Sequence, residues 1–227
     1  MATMTRHDLK KNELEDFLIF AIKWVQNNRQ TFFTIVAIVA GIILFSLFFF
    51  VRLHTAKLRA NDKLSMAQAQ IYGGQVDAGL GSLDELITQY SGTAASTQAR
   101  MLKADYYASK KDFVNAEKTI RPVIDAGIPP SIIPLAYSIL GDIEENAGNY
   151  KGAIATYTEY LEKYPDHFLV PKVYESLGRL YELSGSPAEA KGSYEKLTTL
   201  YPGTGWAQRA QERIAMVSAI QAKTVSK

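Results

Sequence analysis

PLAYSILGDIEENAGNYKGAIATYTEYLEKYP, residues Pro134–Pro165, reads as two helical segments joined at Gly148–Asn149. Tyr137 and Leu140 before the turn, and Tyr157 after it, are large enough to fill the space between two helices. Gly141 and Ala153 are small enough to let the two backbones approach. Gly148 accepts backbone angles that other residues avoid. Pro165 stops the second segment, because proline lacks the amide donor and clashes with the preceding turn.

The same pattern returns every 37 residues on either side. Small residues fall at Gly79, Ala116, Ala153 and Ala190, each followed four residues later by Leu83, Ile120, Tyr157 or Tyr194. A second small series is Ala67, Ala104, Gly141 and Gly178. Tyr90, Tyr164 and Tyr201 share a position that Gly127 takes in the second unit. Self-similarity sustained at such a period signals a solenoid, in which no unit buries its apolar face alone and neighbours must stack.

In spacing, Tyr137, Leu140, Gly141, Gly148, Tyr150, Ala153, Tyr157 and Pro165 resemble the tetratricopeptide repeat family. Tyr174, Leu177, Gly178, Tyr181, Ala190, Tyr194 and Pro202 repeat the match in the next unit. The resemblance covers residues 60–222 and is weaker in the first two units. It implies an all-α fold: a right-handed α-solenoid of about four helix pairs. The units fall near 60–96, 97–133, 134–170 and 171–207. A capping helix follows at 206–220, with Gln208, Arg209, Gln211, Glu212 and Arg213 on its outer face. The period exceeds the family's usual ~34 residues. Segments such as Asp166–Pro171 are expected to lengthen the joints.

Ahead of the repeats, TFFTIVAIVAGIILFSLFFFV (Thr31–Val51) carries no charge, and 15 of its 21 residues are Phe, Ile, Val or Leu. At ~1.5 Å per residue it is about 30 Å long, the thickness of a bilayer core. Insertion is favoured by several kcal/mol, at roughly −0.3 to −0.6 per such residue. The run is too long for a signal-peptide core of about 7–15 residues. The reading is one uncleaved transmembrane helix at 31–51. Residues 1–30 form a short charged segment in which Leu14, Phe17, Leu18, Ala21, Trp24 and Val25 recur at helical spacing. Lys10, Lys11, Lys23 and Arg29 on one side balance Arg52, Lys57, Arg59 and Lys63 on the other, so charge does not choose the orientation.

Composition excludes several functions. The chain has no cysteine, hence no disulfide, thiol nucleophile, cysteine-based metal site or lipid-attachment cysteine. His7, His54 and His167 are scattered and read as surface residues. No phosphate-binding glycine loop, metal set or cofactor motif is present. The pairs Asp84–Glu85 and Glu144–Glu145 are adjacent on helices, so the carboxylates diverge. Residues 60–222 hold 15 Lys/Arg against 19 Asp/Glu, without the basic face that nucleic acid needs. The expectation is a protein that is not an enzyme.

In tetratricopeptide folds the first helix of each unit lines a concave groove. The resemblance places Met101, Asp105, Ser138, Asp142, Glu145, Glu175, Arg179 and Glu182 there. Most are acidic. The donors that grip a terminal carboxylate in some family members are missing, so a basic or mixed protein segment with aromatic anchors is the expected partner.

A short charged segment, one span and then repeats is the layout of the bacterial family of ancillary subunits of the Sec translocon. The stretch ELEDFLIFAIKWVQNNRQ, the span and the repeats carry that resemblance. It implies a single-pass inner-membrane protein with a cytoplasmic N-terminus and periplasmic repeats. Its implied partners are the channel and periplasmic chaperones. The alternative is a scaffold or receptor with cytosol-facing repeats. Self-association stays open in either case.

Overall fold

The computed structural model describes residues 6–225, with side chains at 15–219 and 221. The side chains of His7, Lys10, Lys11, Glu13 and Leu14, that of Ile220, and residue Lys227 lie outside this description. Ten helices follow one another, with no strand among the described residues. They are α1 Arg6–Asn27, α2 Arg29–Tyr72, α3 Val76–Gln89, α4 Ala94–Ser109, α5 Phe113–Ala126, α6 Ile133–Asn146, α7 Tyr150–Lys163, α8 Val170–Leu183, α9 Pro187–Leu200 and α10 Gly205–Val225. They divide into two compact units at Ala56/Lys57.

In the first unit, α1 and the start of α2 keep their backbone hydrogen bonds through Asn28. Its N–H donates to the Trp24 carbonyl (2.9 Å), and its own carbonyl accepts from Phe32 (2.9 Å). The apolar side chains here are not packed: Phe17, Phe20, Phe33, Leu44, Phe45 and Phe50 are all exposed. By length and composition this part of α2 is able to cross a membrane.

The second unit holds the repeats. Consecutive helices from α3 to α10 pack as antiparallel neighbours, and α4 also touches α6 as α8 touches α10. The second helix of each pair begins at Val76, Phe113, Tyr150 or Pro187, at steps of 37. The residue that reverses the chain before each is Gly74, Lys111, Gly148 or Gly185, and all four have positive φ. Asp112 and Asn149 cap α5 and α7, accepting the N–H of Asn115 (3.2 Å) and Gly152 (3.1 Å). Tyr90, Tyr164 and Tyr201 end α3, α7 and α9, whereas Gly127 ends α5 in the left-handed conformation.

The core runs along the array in three clusters. Ala60, Leu64 and Ala67 of α2 pack on Leu83 and Leu86 of α3 and on Ala95 and Ala99 of α4. The central cluster joins α4 to α8 through Ile120, Tyr137, Leu140, Tyr157, Tyr160 and Leu180. Tyr194, Leu197, Ala210 and Val217 close the end against α10. Of the small positions, Gly79, Gly141 and Gly178 leave no room for a side chain. A Cβ at Gly178 would collide with the Tyr194 ring.

The joint before α8 corrects one expectation. His167 is half-buried rather than a free surface residue. Its Nδ1 accepts the Leu169 N–H (3.3 Å) and lies 2.5 Å from the Tyr160 hydroxyl. An Nδ1 that accepts from a backbone amide has no proton of its own, so the tyrosine donates. Burial holds that hydroxyl up to about 12.

Candidate interaction face

The eight residues assigned to a binding groove all lie on first helices: Met101 and Asp105 on α4, Ser138, Asp142 and Glu145 on α6, and Glu175, Arg179 and Glu182 on α8. They are not equally available. Ser138 is buried and Met101 is partly buried against the core. Asp142, Glu145, Glu175 and Glu182 are half-buried, while Asp105 and Arg179 are exposed.

Ion pairs bind this face from α6 onward. Lys172 donates to Asp142 Oδ2 (2.5 Å) and to Ser138 Oγ (2.9 Å). Arg179 grips both oxygens of Glu145, with Nε at 2.6 Å and Nη2 at 2.8 Å. Arg209 Nε donates to Glu175 (2.7 Å), and its guanidinium lies 4.6 Å from the Trp206 ring centroid. Arg213 Nε donates to Glu182 at 3.0 Å. Hydrogen bonds to their carboxylate partners hold the Arg179 and Arg213 guanidiniums above the ordinary arginine range. Tyr157 adds a 2.7 Å bond to Asp142, and Tyr194 one of 2.7 Å to Glu182. Burial, reinforced by those carboxylates, raises both phenols well above the usual value.

The acidic character read from the sequence is therefore spent within the chain. Four of the five acidic residues are paired with a cation of the following first helix. Asp105 has no ion pair among the described residues. Exposed pairs of this kind contribute ~0–1 kcal/mol each, so they set the register between units more than they stabilise the fold.

The row changes character between α4 and α6. Residues 37 apart at the cation position are Leu135, Lys172 and Arg209, and at the acceptor position Met101, Ser138 and Glu175. Where later units join a cation to a polar acceptor, the α4–α6 stretch has Met101 and Leu135. Leu135 is 42% exposed. Leu135, Lys172, Arg209 and Arg213 are not among the residues that sequence assigns to the groove. Stepping 37 residues from Lys172 finds Leu135 and Arg209.

The cavities that open on the solenoid include three of note. One of about 280 Å³ lies along the ion-pair row, between Glu175, Arg179, Tyr194, Arg209 and Arg213. One of about 350 Å³ opens beside Arg121, Tyr137, Glu159 and Lys163. Two of its lining residues, Thr156 and Arg121, hold the buried Glu144 through Oγ1 (2.6 Å) and Nη2 (3.1 Å). The third, of about 200 Å³, adjoins Ser96 and Arg100. Among the described residues no three His, Asp or Glu gather as a metal site.

Solved structures of the same fold include MamA, with a TM-score of 0.55 at 15% identity over 74% of this chain and 86% of that one. A MamA structure from AMB-1 gives a TM-score of 0.51 at 21% identity, over 64% and 75%. Pseudomonas aeruginosa PilF gives 0.53 at 17% identity, over 74% and 72%. At these identities the likeness is one of fold. Comparison with curated protein sequences returns no match. A family model, described as a tetratricopeptide repeat-like domain, matches residues 23–216. The helix pairs, the 37-residue step and that match together place the chain in the tetratricopeptide repeat-like domain family.

Proposed function

We propose that this chain is a non-enzymatic, membrane-anchored adaptor that holds a protein partner on the α4–α6 part of its first-helix face. The observation that carries the reading is the break in the ion-pair row. From α6 to α10 the face is occupied by its own bridges, whereas Leu135 and Asp105, which has no ion pair among the described residues, are exposed to a partner, with Met101 partly so. The chemistry suits a segment with an aliphatic or aromatic side chain next to a cation, since such a group fills an apolar patch and pairs with the carboxylate.

The uncharged, exposed Thr31–Val51 stretch supports an anchor of bilayer length. With the charged segment before it and the repeats after it, the layout is similar to the ancillary subunits of the Sec translocon. On that reading the protein sits in a bacterial inner membrane with its N-terminus in the cytoplasm and its repeats in the periplasm. It serves the channel or periplasmic chaperones during protein translocation or envelope assembly.

The test fuses a reporter active only outside the cytoplasm, or its cytoplasm-active mirror, to Lys227. Photo-crosslinkers at Asp105 and Leu135 then trap the neighbours in intact cells. Activity of the first reporter, with translocon or chaperone adducts from Leu135, is the expected result. Activity of the cytoplasmic reporter alone would sink the translocon reading and favour a cytosol-facing scaffold.

A further inference from the structure

The third cavity lies at the start of α4, and its chemistry differs from that of the equivalent place in the next two units. Its polar side is Ser96, Thr97 and Arg100, and its apolar side includes Pro122, Val123 and Ile128. Residues 37 and 74 further on are Ile133, Pro134 and Tyr137, and then Val170, Pro171 and Tyr174. In those units a β-branched residue, a proline and a tyrosine stand at the corner, and Tyr137 is only 3% exposed. In the α4 unit two hydroxyls and a guanidinium stand in their place and give a hollow of about 200 Å³ a polar side with a cation.

Those polar groups have few partners of their own. Ser96 is 3% exposed, yet its hydroxyl makes no hydrogen bond among the described residues. Only its backbone N–H is engaged, to Thr93 Oγ1 at 3.2 Å. Among the described residues no fully enclosed side-chain nitrogen or oxygen lacks a partner, so the Ser96 hydroxyl faces the cavity that it lines. Thr97 reaches the Thr93 and Ile128 carbonyls only at 3.4 Å each. Arg100, one helical turn beyond Ser96 on the same face, forms no ion pair or hydrogen bond among the described residues. Every other arginine of the solenoid, namely Arg121, Arg179, Arg209 and Arg213, is paired. The positive end of the α4 dipole adds to the field at the site.

We propose that this cavity binds an aliphatic carboxylate. One guanidinium matches one carboxylate in charge and in its two-pronged geometry. The Ser96 hydroxyl supplies a further donor, and the Pro122, Val123 and Ile128 wall receives the stem. The cavity is smaller than the roughly 300–1,000 Å³ of sites for drug-sized ligands. The carboxylate has two sources, a free short-chain acid or the last residue of a peptide. The site is separate from Met101 and Leu135, and it stands whether or not that face holds a partner.

The test uses the full-length protein in detergent micelles, labelled with ¹⁵N-arginine, and follows the Arg100 Nε–H resonance, assigned with Arg100→Lys. The probes are 4-methylpentanoate, its uncharged twin 4-methylpentanamide, N-acetyl-leucine and inorganic phosphate. The carboxylates are expected to shift Arg100 saturably, with the amide about tenfold or more weaker, the scale of a lost charged hydrogen bond. Ser96→Val, which installs the residue found at Val170, is expected to remove the response while leaving the melting temperature unchanged. N-acetyl-leucine binding tighter than 4-methylpentanoate points to a peptide end, and the reverse to a free acid. Equal binding of acid and amide, phosphate binding as tightly as the carboxylates, or no saturable shift would overturn the proposal. The acid–amide comparison uses the unmutated protein, so it decides even if Ser96→Val fails to fold.

Discussion

Gly141 of α6 lies so close under the ring of Tyr157 of α7 that a Cβ there would stand 2.5 Å from Cζ. Alanine is the better helix former by ~1 kcal/mol, but overpacking costs about 1–3 kcal/mol. Tyr157 is fully buried and its hydroxyl is tied to Asp142, so the ring has nowhere to move. Gly141→Ala is therefore expected to destabilise by about 1–2 kcal/mol. A methyl group added at Gly192 of α9 would meet nothing within 4 Å, and Gly192→Ala should stabilise by ~0.5–1 kcal/mol. Urea unfolding of the two variants gives both signs.

The reversal before α5 is made by Lys111 at φ 60°, where the other three pairs use glycine. A side chain in this conformation costs roughly 1–2 kcal/mol. Glycine gives part of that back as unfolded-chain entropy. Lys111→Gly should raise stability by about 0.5–1 kcal/mol, read as a higher urea midpoint with an unchanged slope.

Burial raises the Glu144 carboxyl, and the bonds from Thr156 and Arg121 only partly oppose that. A carboxyl raised on folding binds its proton more readily in the folded chain. Its contribution thus favours folding at low pH and declines as pH rises above the ordinary glutamate value of 4.5. Glu144→Gln keeps an acceptor for Thr156, and Arg121 keeps Glu117 at 2.6 Å. The variant should stay within about 1 kcal/mol of the parent at pH 7 and flatten the pH dependence above 4.5. Glu144→Leu strands the Thr156 hydroxyl and should cost about 1–3 kcal/mol. Melts across mildly acid to neutral pH separate the two.

The Glu145–Arg179 bridge is two-pronged but still in contact with water. A double-mutant cycle with Glu145→Gln and Arg179→Gln should give a coupling of roughly 0.5–1 kcal/mol, shrinking at 1 M salt, where screening acts over about 3 Å. A coupling several times larger, or one indifferent to salt, would contradict the view that these bridges set register rather than stability.

Much of this architecture is readable from residue size and spacing. Small residues at Gly141 and Gly178 facing Tyr157 and Tyr194, the Gly148 turn, and the proline stops at Pro165 and Pro202 all follow from the 37-residue step. The ion-pair row does not. Its partners are 30, 31 and 34 residues apart, because each bridge joins different positions of successive units, so a search at the repeat period passes over them. The Tyr160–His167 contact depends on the path of the α7–α8 joint, which periodicity does not describe. Lys111 is hidden for a simpler reason, since its left-handed turn lacks the glycine that would announce it. The pairing of the acidic residues on the face is hidden too, because a count of carboxylates does not say which cations will reach them.

The staggered bridges also make the array a one-way object. From α6 on, each first helix turns acceptors toward its successor, and from α8 on each turns cations toward its predecessor. The helix pairs are thus not interchangeable cassettes, although their backbones repeat. If the second and fourth pairs changed places, Leu135 would meet Glu175, and Arg209 would meet Met101. Both junctions would lose their complement with every helix still intact. The order of the units is a message carried by side chains alone, and duplication or shuffling of a unit would have to rewrite it at two borders at once.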